Sequence, residues 1–553
     1  MNATVACRNP IPATDIFWKK VSMACFLGVL LLSPASNARA QSNEPALKIS
    51  GTNGNITVSW PAAFYYSALA STVDEPAPAA SWFWASTATP MFSFYTNLTS
   101  FDPSNLYNAP VTATVSANEC QFTLPATNAQ QYFKLMPMRV IPIFQFAIFY
   151  DGLLEFSTAA TLNINGPVHA NGPIYTGSGS PLTFYDTVTT GANISSPPNA
   201  GSSPPWAYTG VFLRNPANVT NTSPLRPDVE TNNLHAIIEI PPSGEDPESQ
   251  MGSQRYYNKA GIVILVSNTT ASVFIKSSPT DTPITITVAT FGTNSPGLQS
   301  DFPFLSVTNR FRERREAAKT NFLTQIDIGL YNQWLLTNSA VNVKFPPFSH
   351  NWPNIIYVAD NRTPSSTVMY SVRLTNGVAI PTNGNTGFTL ATRNPLYVWG
   401  DYNCPVSANL GTTNTAGSQP ASFACDAFNV LSANFTDSES YLFYNASSST
   451  FYAVNTTVNA ALITGIVSSI GFTTSTFSGG IHNLPRLQEN WTSRTLTLNS
   501  SIVCLFNSDL ATNRFIWPGI TYHPPARRWG FDKNFKDLTK LPPGTPFVGV
   551  VEK

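Results

Sequence analysis

The acidic side chains that could act on a polysaccharide are few and scattered along the chain. Glycoside hydrolases use two carboxylates about 5–10 Å apart, and calcium-dependent lyases need a cluster of acidic oxygens beside a basic residue. The chain of 553 residues offers six candidate carboxylates for these roles: Asp151, Glu155, Asp401, Glu489, Asp532 and Asp537. Each is expected in a turn or a cap, so we predict no catalytic residue among them.

The cysteines and histidines do not form a metal or cofactor motif. The chain has no CxxC pair, and its five histidines lie away from the cysteines, so we predict no metal and no cofactor. Cys404 and Cys425 flank a loop rich in Gly, Thr, Asn and Ser and are the candidate disulfide. Such a bridge would stabilise the fold by about 3 kcal/mol in the chain-entropy model. No sequence feature fixes a pairing for Cys120 and Cys504.

The first 40 residues have the pattern of an export signal. Lys19 and Lys20 precede an apolar run, Val21 to Ser33, that is too short to span a bilayer comfortably. Ala38 and Ala40 supply the small residues that precede a cleavage site. We therefore expect residues 1–40 to be a signal peptide and the protein to be secreted or held at the cell surface. No later run is apolar over about 18 residues, so the mature chain is expected to lack a membrane-spanning segment.

The charge balance excludes one class of partner. Charged residues make up only 11% of the chain, against about a quarter in ordinary proteins. Beyond residue 40 the chain carries 26 Lys and Arg against 29 Asp and Glu. Nucleic-acid-binding proteins usually have a strong basic excess, so we exclude a nucleic-acid partner.

Residues 45–137 are predicted to form a β-sandwich module. ISGTNGNITVSWP places Ile56, Val58 and Trp60 in alternation with polar residues after an Asn-Gly turn. CQFTLPATNAQQYFKLM closes the segment with a second alternating stretch. The strands at 55–61 and 123–135 resemble those of fibronectin-III-like and immunoglobulin-like modules of secreted bacterial proteins, which implies a sandwich of about 90 residues.

Short apolar groups separated by Gly, Asn and Ser turns predict a right-handed parallel β-helix. Between residues 145 and 200 the apolar pairs recur every 6 to 10 residues, too densely for hairpins with strands of about 5–6 residues. We expect these residues to form the first rungs. Residues 201–350 are expected to be an α+β insertion, and residues 351–553 to form further rungs and a C-terminal cap. The fold class is therefore mainly β.

His169 lies within this pattern, in GPVHANGPIY. Val168, His169 and Ala170 alternate in, out and in, which places His169 outward or along a rung face beside the Asn171–Gly172 corner. No cysteine or carboxylate pairs with it within sequence reach. We therefore predict a structural role for this histidine.

Two later segments differ in pattern from the surrounding short apolar groups and turns. The run Arg310 to Lys319 has charges of both signs, which favours a solvated helix or exposed strand over a basic patch for an acidic partner. Ile328 to Asn338 has helical periodicity that places Leu330, Trp334 and Leu335 on one stripe.

Five stretches share a texture with one group of exported proteins. They are QFAIFYDGLLEFS, GPVHANGPIYTGSGSPLTFYDTVTTGANIS, GFTLATRNPLYVWGDYN, GGIHNLPRLQENWTSRTLTLNSSIV and PARRWGFDKNFKDLTKLPPGTP, spanning about residues 145–546. These stretches resemble PilX-like proteins, which are linked to type IV pili, and related exported proteins of Gram-negative bacteria. The resemblance implies surface association without an enzymatic activity. Pilins keep a hydrophobic N-terminal helix, whereas the short apolar run here precedes a cleavage pattern, which favours a secreted or surface-attached protein.

Together these features predict an exported structural or adhesive cell-surface protein without catalysis, partnered by a cell-surface polysaccharide or a pilus-like assembly. Two alternatives stay open. One is a polysaccharide-active lyase or hydrolase, since β-helices often carry such sites. The other is a carbohydrate-binding module protein, with Trp82, Trp84 and Trp399 as stacking platforms. The motifs GxSxG, GxxxxGK[ST], GxGxxG and HExxH are absent from the sequence.

Overall fold

The chain divides into two compact units, an N-terminal unit of residues 1–141 with 549–553 and a main unit of residues 142–548. The computed structural model describes residues 5–8, 48–52, 55–61, 67–72, 83–87, 114–115, 119–125, 130–157, 161–177, 181–195, 211–212, 218–227, 229, 233–289, 300–346, 352–381, 387–442, 451–470, 478, 480–515 and 522–551. Strands predominate among these residues, so the prediction of a mainly β protein is confirmed. None of the helices found there is long and apolar enough to cross a bilayer.

The N-terminal unit contains two sets of antiparallel strands. Its strands are β1 (Val5–Arg8), β2 (Lys48–Thr52), β3 (Asn55–Pro61), β4 (Ser67–Thr72), β5 (Phe83–Thr87), β6 (Thr114–Val115), β7 (Glu119–Pro125) and β8 (Gln130–Pro142). One set runs in the order β2, β3, β7, β6, and in the other β8 pairs with β1 and β4 while β4 also pairs with β5. Val58, from the alternating stretch, is fully buried in β3. The predicted signal peptide lies outside the described residues apart from β1.

The main unit begins with short strands that repeat around three faces. They are β9 (Ile148–Tyr150), β10 (Leu154–Ser157), β11 (Leu162–Ile164), β12 (Val168–Ala170), β13 (Ile174–Gly177), β14 (Leu182–Phe184), β15 (Val188–Thr190), β16 (Ile194–Ser195), β17 (Val211–Phe212) and β18 (Asn218–Val219). The next strand, β19 (Arg226–Pro227), is not part of this repeat. β9, β12, β15 and β18 pair in parallel, as do β10, β13 and β16, and β11, β14 and β17. The first two turns of this pattern each take 20 residues, from Ile148 to Val168 and from Val168 to Val188, and the next takes 30, from Val188 to Asn218.

Similar side chains stack on one another in the first turns. Ile148, Val168 and Val188 are in register and almost fully buried. Leu162 and Leu182 are likewise in register and buried on another face. Full burial of each such aliphatic side chain stabilises the fold by about 1.5–3 kcal/mol. The repeat thus builds a continuous core from only a few inward residues per strand.

Later segments of the chain provide longer strands. They are β20 (Ile262–Val266), β21 (Thr270–Ile275), β22 (Ile284–Ala289), β23 (Leu305–Ser306), β24 (Arg310–Glu313), β25 (Lys319–Asp327), β26 (Ile355–Asp360), β27 (Val368–Thr375), β28 (Phe388–Thr392), β29 (Leu396–Trp399), β30 (Ala421–Cys425), β31 (Phe428–Leu431), β32 (Thr456–Asn459), β33 (Ala461–Ile466), β34 (Thr495–Ser500), β35 (Ile502–Asn507), β36 (Ala526–Phe531) and β37 (Phe547–Val551). The α-helices are α1 (Gln250–Gln254), α2 (Tyr256–Lys259), α3 (Ile328–Thr337), α4 (Ser339–Lys344) and α5 (Glu439–Leu442), and the 3₁₀ turns are Ile143–Gln145, Leu234–Ile238, Ser407–Asn409, Gly480–Asn483, Lys533–Lys536 and Leu538–Lys540.

One large sheet joins the early and late strands. Its order is β18, β15, β12, β9, β35, β33, β30, β28, β26, β20, β21, β22, with all pairs parallel except the last two. The join between β9 and β35, which we call the seam, aligns Ile148 with Ile502 and Tyr150 with Cys504. At the seam the Ile502 amide donates to Ala147 O at 2.9 Å, and the Asp151 amide donates to Cys504 O at 2.9 Å. The chain therefore enters the sheet in its middle, builds outward to β18, and returns from the opposite end to meet its own beginning.

Strands from residues 201–350, the segment predicted as an α+β insertion, pair with strands of the later parallel sheets. β20 pairs in parallel with β26 in the large sheet, and β25 pairs in parallel with β27 in a second sheet that continues through β29 and β31. A third parallel sheet has the order β32, β34, β36. Helices α1 to α4 all fall between residues 250 and 344.

Helix α3 follows its prediction closely except for one side chain. The Asp327 carboxylate caps its first turn by accepting from the Leu330 amide at 2.9 Å. Trp334 and Leu335 are buried as expected, but Leu330 is 38% exposed. Ile328 takes the inward position instead, and a residue two places further along a helix points to the opposite side.

Buried asparagines link successive turns at the sheet formed by β32, β34 and β36. Asn403, Asn459 and Asn499 are each at most 2% exposed. Asn403 Nδ2 donates to Asn459 O at 2.8 Å, and Asn499 Nδ2 donates to Asn459 Oδ1 at 2.8 Å. Asn403 also has a positive φ of 54°, which asparagine tolerates better than most residues. These amides satisfy backbone groups at a corner where the strand ladder stops.

The expected disulfide between Cys404 and Cys425 is not formed. Both side chains are buried free thiols, as is Cys504. Cys425 closes β30 in the large sheet, and its Sγ donates to Thr464 Oγ1 at 3.7 Å. Cys404 Sγ instead points at Val406 O at 3.9 Å. The two thiols have separate partners because Cys425 lies in the large sheet, whereas Cys404 follows the corner residue Asn403 outside it. The side chain of Cys120 is not among those described.

Gly152 and Gly172 occupy the same place in successive 20-residue turns, but the stacking predicts that alanine at these two positions affects stability differently. A Cβ on Gly172 would lie 2.7 Å from the carbonyl carbon and oxygen of Gly152 in the neighbouring turn, whereas a Cβ on Gly152 meets nothing within 4 Å. We expect Gly172→Ala to lower the free energy of unfolding by about 1–3 kcal/mol and Gly152→Ala to change it by less than about 0.5 kcal/mol. Urea denaturation of both variants tests this, and equal losses would contradict the close stacking of these turns.

Candidate functional site

His169 is buried rather than outward-facing, contrary to the sequence expectation. It is 1% exposed, and its ring stacks on Phe149 with centroids 5.3 Å apart. Nε2 lies 2.8 Å from Asn171 Oδ1, and Nδ1 lies 2.7 Å from Thr189 Oγ1. Burial lowers the pKa of His169 below its ordinary value of 6.5. A strand residue on the outer side can therefore be covered by neighbouring aromatic rings, which the local alternation did not indicate.

The hydrogen bonds of Asn171 fix the tautomer of this histidine. Asn171 Oδ1 accepts from the Leu225 amide at 2.7 Å, so it also accepts from His169 Nε2–H. Nδ1 is then left to accept from the Thr189 hydroxyl. Asn171 Nδ2 donates to Asp151 Oδ1 at 2.8 Å and to Leu225 O at 2.7 Å. This chain of bonds holds the segment around Leu225 against the early turns, which is a structural role.

The charge run Arg310 to Lys319 is largely buried, so the prediction of a solvated element was wrong. Its four central residues are Glu313, Arg314, Arg315 and Glu316, with exposures of 0%, 9%, 6% and 2%. Their partners come from distant parts of the sequence, and burial of mixed charges is tolerable only when each is paired. The run is therefore an internal polar cluster.

Two carboxylates of this cluster are occupied by specific donors. Glu313 accepts from the Tyr397 hydroxyl and from Gln488 Nε2. Glu316 pairs with Arg486, and Arg486 NH1 also donates to Ala511 O at 2.9 Å. The contacts with Arg486 and Gln488 tie β24 and the turn after it to residues 170 and 175 positions away in the sequence.

Glu489 is a third carboxylate in this region, and it is 0% exposed. It accepts from the Ser432 amide at 2.7 Å and from the Ser432 hydroxyl at 2.5 Å. Burial raises the pKa of Glu489 from 4.5 to about 7, although these bonds and the charge of Arg314 act in the opposite direction. Perturbed carboxylates are often catalytic, but the oxygens of Glu313, Glu316 and Glu489 already face donors within the fold. A surface cavity of about 660 Å³ is lined by Ile286, Asp301, Leu330 and Trp334, and by none of the three.

The remaining acidic candidates hold turns and neighbouring strands. Asp401 accepts from the Thr457 amide at 2.7 Å. Asp532 and Asp537 cap 3₁₀ turns by accepting from the Asn534 and Thr539 amides at 3.0 Å. Asp151 accepts from Asn171, and Glu155 is buried in β10. Among the described contacts, the bonds of Asp151, Asp401, Asp532 and Asp537 are therefore those of turns, caps and neighbouring strands.

The aromatic candidates are only partly described. The guanidinium of Arg373 lies over the ring of Trp399, with its Cζ 4.9 Å from the ring centroid. One face of this ring is therefore already occupied. The side chains of Trp82 and Trp84 lie outside the described residues.

A cluster around His235 is the one group of at least three His, Cys, Asp or Glu residues, within the described part of the chain, whose ligand atoms lie within 4.8 Å of one another. His235 is 3% exposed and sits in the 3₁₀ turn Leu234–Ile238. Its Nε2 lies 3.0 Å from Asp426 Oδ1, and its Nδ1 lies 2.8 Å from Glu239 Oε1 and 3.5 Å from Asp509 Oδ2. Burial alone would lower the pKa of His235, but Asp426 and Glu239 raise it from 6.5 to about 9. The prediction that no residue group could hold a metal did not identify this arrangement.

The sequence carries only a weak signal of this cluster. His235 and Glu239 are four residues apart, a spacing that places two side chains on one face of a helical turn. Asp426 and Asp509 follow the ends of β30 and β35. These two strands are near neighbours in the large sheet, with only β33 between them. That neighbourhood could be recognised only after the strand order was known.

The described elements define a mainly β protein with large parallel sheets. Comparison with known proteins adds no further identification: no family model matches the chain, no curated protein matches its sequence, and no solved structure matches its fold.

The raised pKa of Glu489 predicts a pH-dependent stability. Between pH 4.5 and about 7 the unfolded chain ionises this residue while the folded chain keeps it protonated, so stability present at low pH is lost as the pH rises through 7. The loss attributable to this group is on the order of 3 kcal/mol. We expect Glu489→Gln to flatten the difference between urea denaturation at pH 4.5 and pH 8. Glu248→Gln, at an exposed position, is the control, and an unchanged pH profile in Glu489→Gln would contradict the assignment.

Proposed function

We propose that this chain is an exported structural or adhesive protein of the cell surface, built as a right-handed parallel β-helix behind an N-terminal β-sandwich. The observation that carries the proposal is the parallel path of the large sheet from β18 to β20, which four shorter sets of parallel strands accompany, two in the early turns and two in the later ones. The 20-residue period of the early turns supports a coil with three strands in each turn. The two antiparallel sets of the N-terminal unit support the sandwich.

The hydrogen bonding of the buried carboxylates favours a scaffold over an enzyme. Enzymes on polysaccharides need carboxylates that face a substrate. Here the carboxylates that are most buried, such as Glu313 and Glu489, are occupied by donors from the fold itself. Buried polar groups of this kind stabilise one arrangement of strands when all members are satisfied.

The proposed location and partners come from the sequence patterns. The leader-like residues 1–40 support export, and the stretches that resemble PilX-like proteins support an association with a pilus-like assembly. A surface rich in Ser, Thr and Asn offers hydrogen bonds to a neutral polysaccharide, which is the proposed ligand class. No nucleic-acid partner and no resident cofactor are part of the proposal.

A panel of cell-surface polysaccharides tests this function. We expect the purified chain to be retained by at least one immobilised polysaccharide and to release no shorter chains from any of them. Asp401→Asn and Asp537→Asn should behave like the unaltered protein, because the Asp401 carboxylate accepts from the amide of Thr457 in β32 and the Asp537 carboxylate caps a turn at Thr539. Bond cleavage that is lost in Asp401→Asn and kept in Asp537→Asn would contradict the proposal and indicate an enzyme. If the chain is retained by none of the polysaccharides and cleaves none of them, that result would contradict the adhesive role.

A further inference from the structure

His235 has one ring nitrogen whose surroundings call for a cation. Nδ1 is buried and makes no aligned hydrogen bond, although Glu239 Oε1 lies 2.8 Å away and Asp509 Oδ2 lies 3.5 Å away. A polar atom left without a bond at such burial is destabilising. This nitrogen points between two carboxylate oxygens that come from different segments of the chain.

The partner on the other side of the ring fixes which nitrogen carries hydrogen. Asp426 is 0% exposed and accepts from the Ser508 hydroxyl at 2.6 Å and from the Asp509 amide at 2.6 Å. The amides of Leu510 and Ala511 lie within 3.3 Å of its oxygens as well. Surrounded by donors, Asp426 acts as an acceptor, so His235 Nε2 donates to it at 3.0 Å. When Nδ1 carries no proton, its lone pair faces two anionic oxygens. The surrounding carboxylates raise the pKa of His235 to about 9, so a metal ion at Nδ1 takes the place of a proton.

This arrangement matches the surroundings of histidine ligands in metalloproteins. A metal-binding histidine almost always donates its second nitrogen to a carboxylate or carbonyl, which orients the ring and makes the ligating nitrogen more basic. Ligand atoms about 2.0–2.2 Å from an ion, at tetrahedral or octahedral angles, lie roughly 3.0–3.5 Å from one another. The distances of 2.8 Å and 3.5 Å from Nδ1 to the two carboxylate oxygens are close to that range.

The charges around the cluster fit a divalent ion. Glu239, Asp426 and Asp509 carry three negative charges, and the nearest positive group is Arg393, whose Nε lies 3.5 Å from Glu239 Oε2. That contact involves the second oxygen of Glu239 and leaves Oε1 facing the histidine. With His235 neutral, two of these three negative charges remain uncompensated, and one divalent cation in place of the proton on Nδ1 would neutralise them. The Asp509 side chain is 66% exposed, so the site opens to solvent and water can complete the coordination.

We propose that His235 Nδ1, Glu239 and Asp509 bind a divalent first-row transition-metal ion of the Mn²⁺ to Zn²⁺ series, with Asp426 as the residue that orients the histidine. One imidazole with two carboxylates suits these ions, whereas Ca²⁺ takes oxygen ligands only. The ion links the 3₁₀ turn Leu234–Ile238 to the turn that follows β35. The 3₁₀ turn lies in the segment that connects β18 at one end of the large sheet to β20 near the other end. The ion therefore fastens the returning chain beside the seam.

Calorimetric titration of the full chain, freed of any affinity tag, tests the site. We expect saturable binding of one Mn²⁺ or Zn²⁺ per chain, and no saturable binding of Ca²⁺. Asp509→Asn and Glu239→Gln should each weaken the affinity at least tenfold. Glu248→Gln makes the same chemical change as Glu239→Gln at an exposed position in the following loop, and it should bind like the unaltered protein. Asp509→Asn alters an exposed side chain, so the variant is expected to fold, and circular dichroism confirms that before titration.

Three results would overturn this assignment. Absence of saturable Mn²⁺ and Zn²⁺ binding would mean that a proton alone occupies Nδ1. Equal affinity in the unaltered protein and Asp509→Asn would place the ion elsewhere. Binding of Ca²⁺ as tight as that of Mn²⁺ would exclude the histidine as a ligand. None of these results depends on the proposed adhesive function, which the polysaccharide panel tests separately.

Discussion

The pairing of β9 with β35 is the constraint on which the rest of the main unit depends. It places the first strand of this unit against one of the last, so the early turns extend a sheet that the later chain completes. Backbone bonds on both sides of the seam, from Ile502 to Ala147 and from Asp151 to Cys504, make it continuous with its neighbours. Closing so long a loop has an entropic cost that grows only logarithmically with its length. Burial of Ile148 and Val503 at the seam offsets part of that cost.

Buried polar side chains give the stack its specificity, because aliphatic turns alone would tolerate a shift in register. The corner asparagines Asn403, Asn459 and Asn499 each bond to the next turn or to a neighbouring loop. Glu313 and Glu316 require partners that are present only when β24 lies beside residues 486–488. A misplaced turn would leave these groups buried without partners, at about 1–3 kcal/mol for each group. Several of the chain's few charged side chains thus help to fix the strand order.

Local patterns in the sequence indicated the local structure well. The short apolar groups between Gly and Asn turns became β9 to β16, and the periodic run Ile328 to Asn338 became α3. What failed was non-local. His169 is covered by Phe149 of the preceding turn, and Arg315 is buried among residues that lie far along the chain. The cluster of His235 and Asp426 exists only because β30 and β35 are near neighbours. Alternation and charge counts describe a segment alone, so they cannot show which distant segment will cover it.

Cross-linking across the seam tests the central claim most directly. Tyr150 and Cys504 are register partners in adjacent parallel strands, whose spacing of about 4.8 Å is within the range that a disulfide spans. The account predicts that Tyr150→Cys forms an intramolecular disulfide with Cys504 under mild oxidation, seen as faster migration on a non-reducing gel and as a linked peptide in mass spectrometry. Leu154→Cys, equally buried but on another sheet, should stay reduced. A folded Tyr150→Cys variant in which Cys504 stays free, or links elsewhere, would contradict the seam.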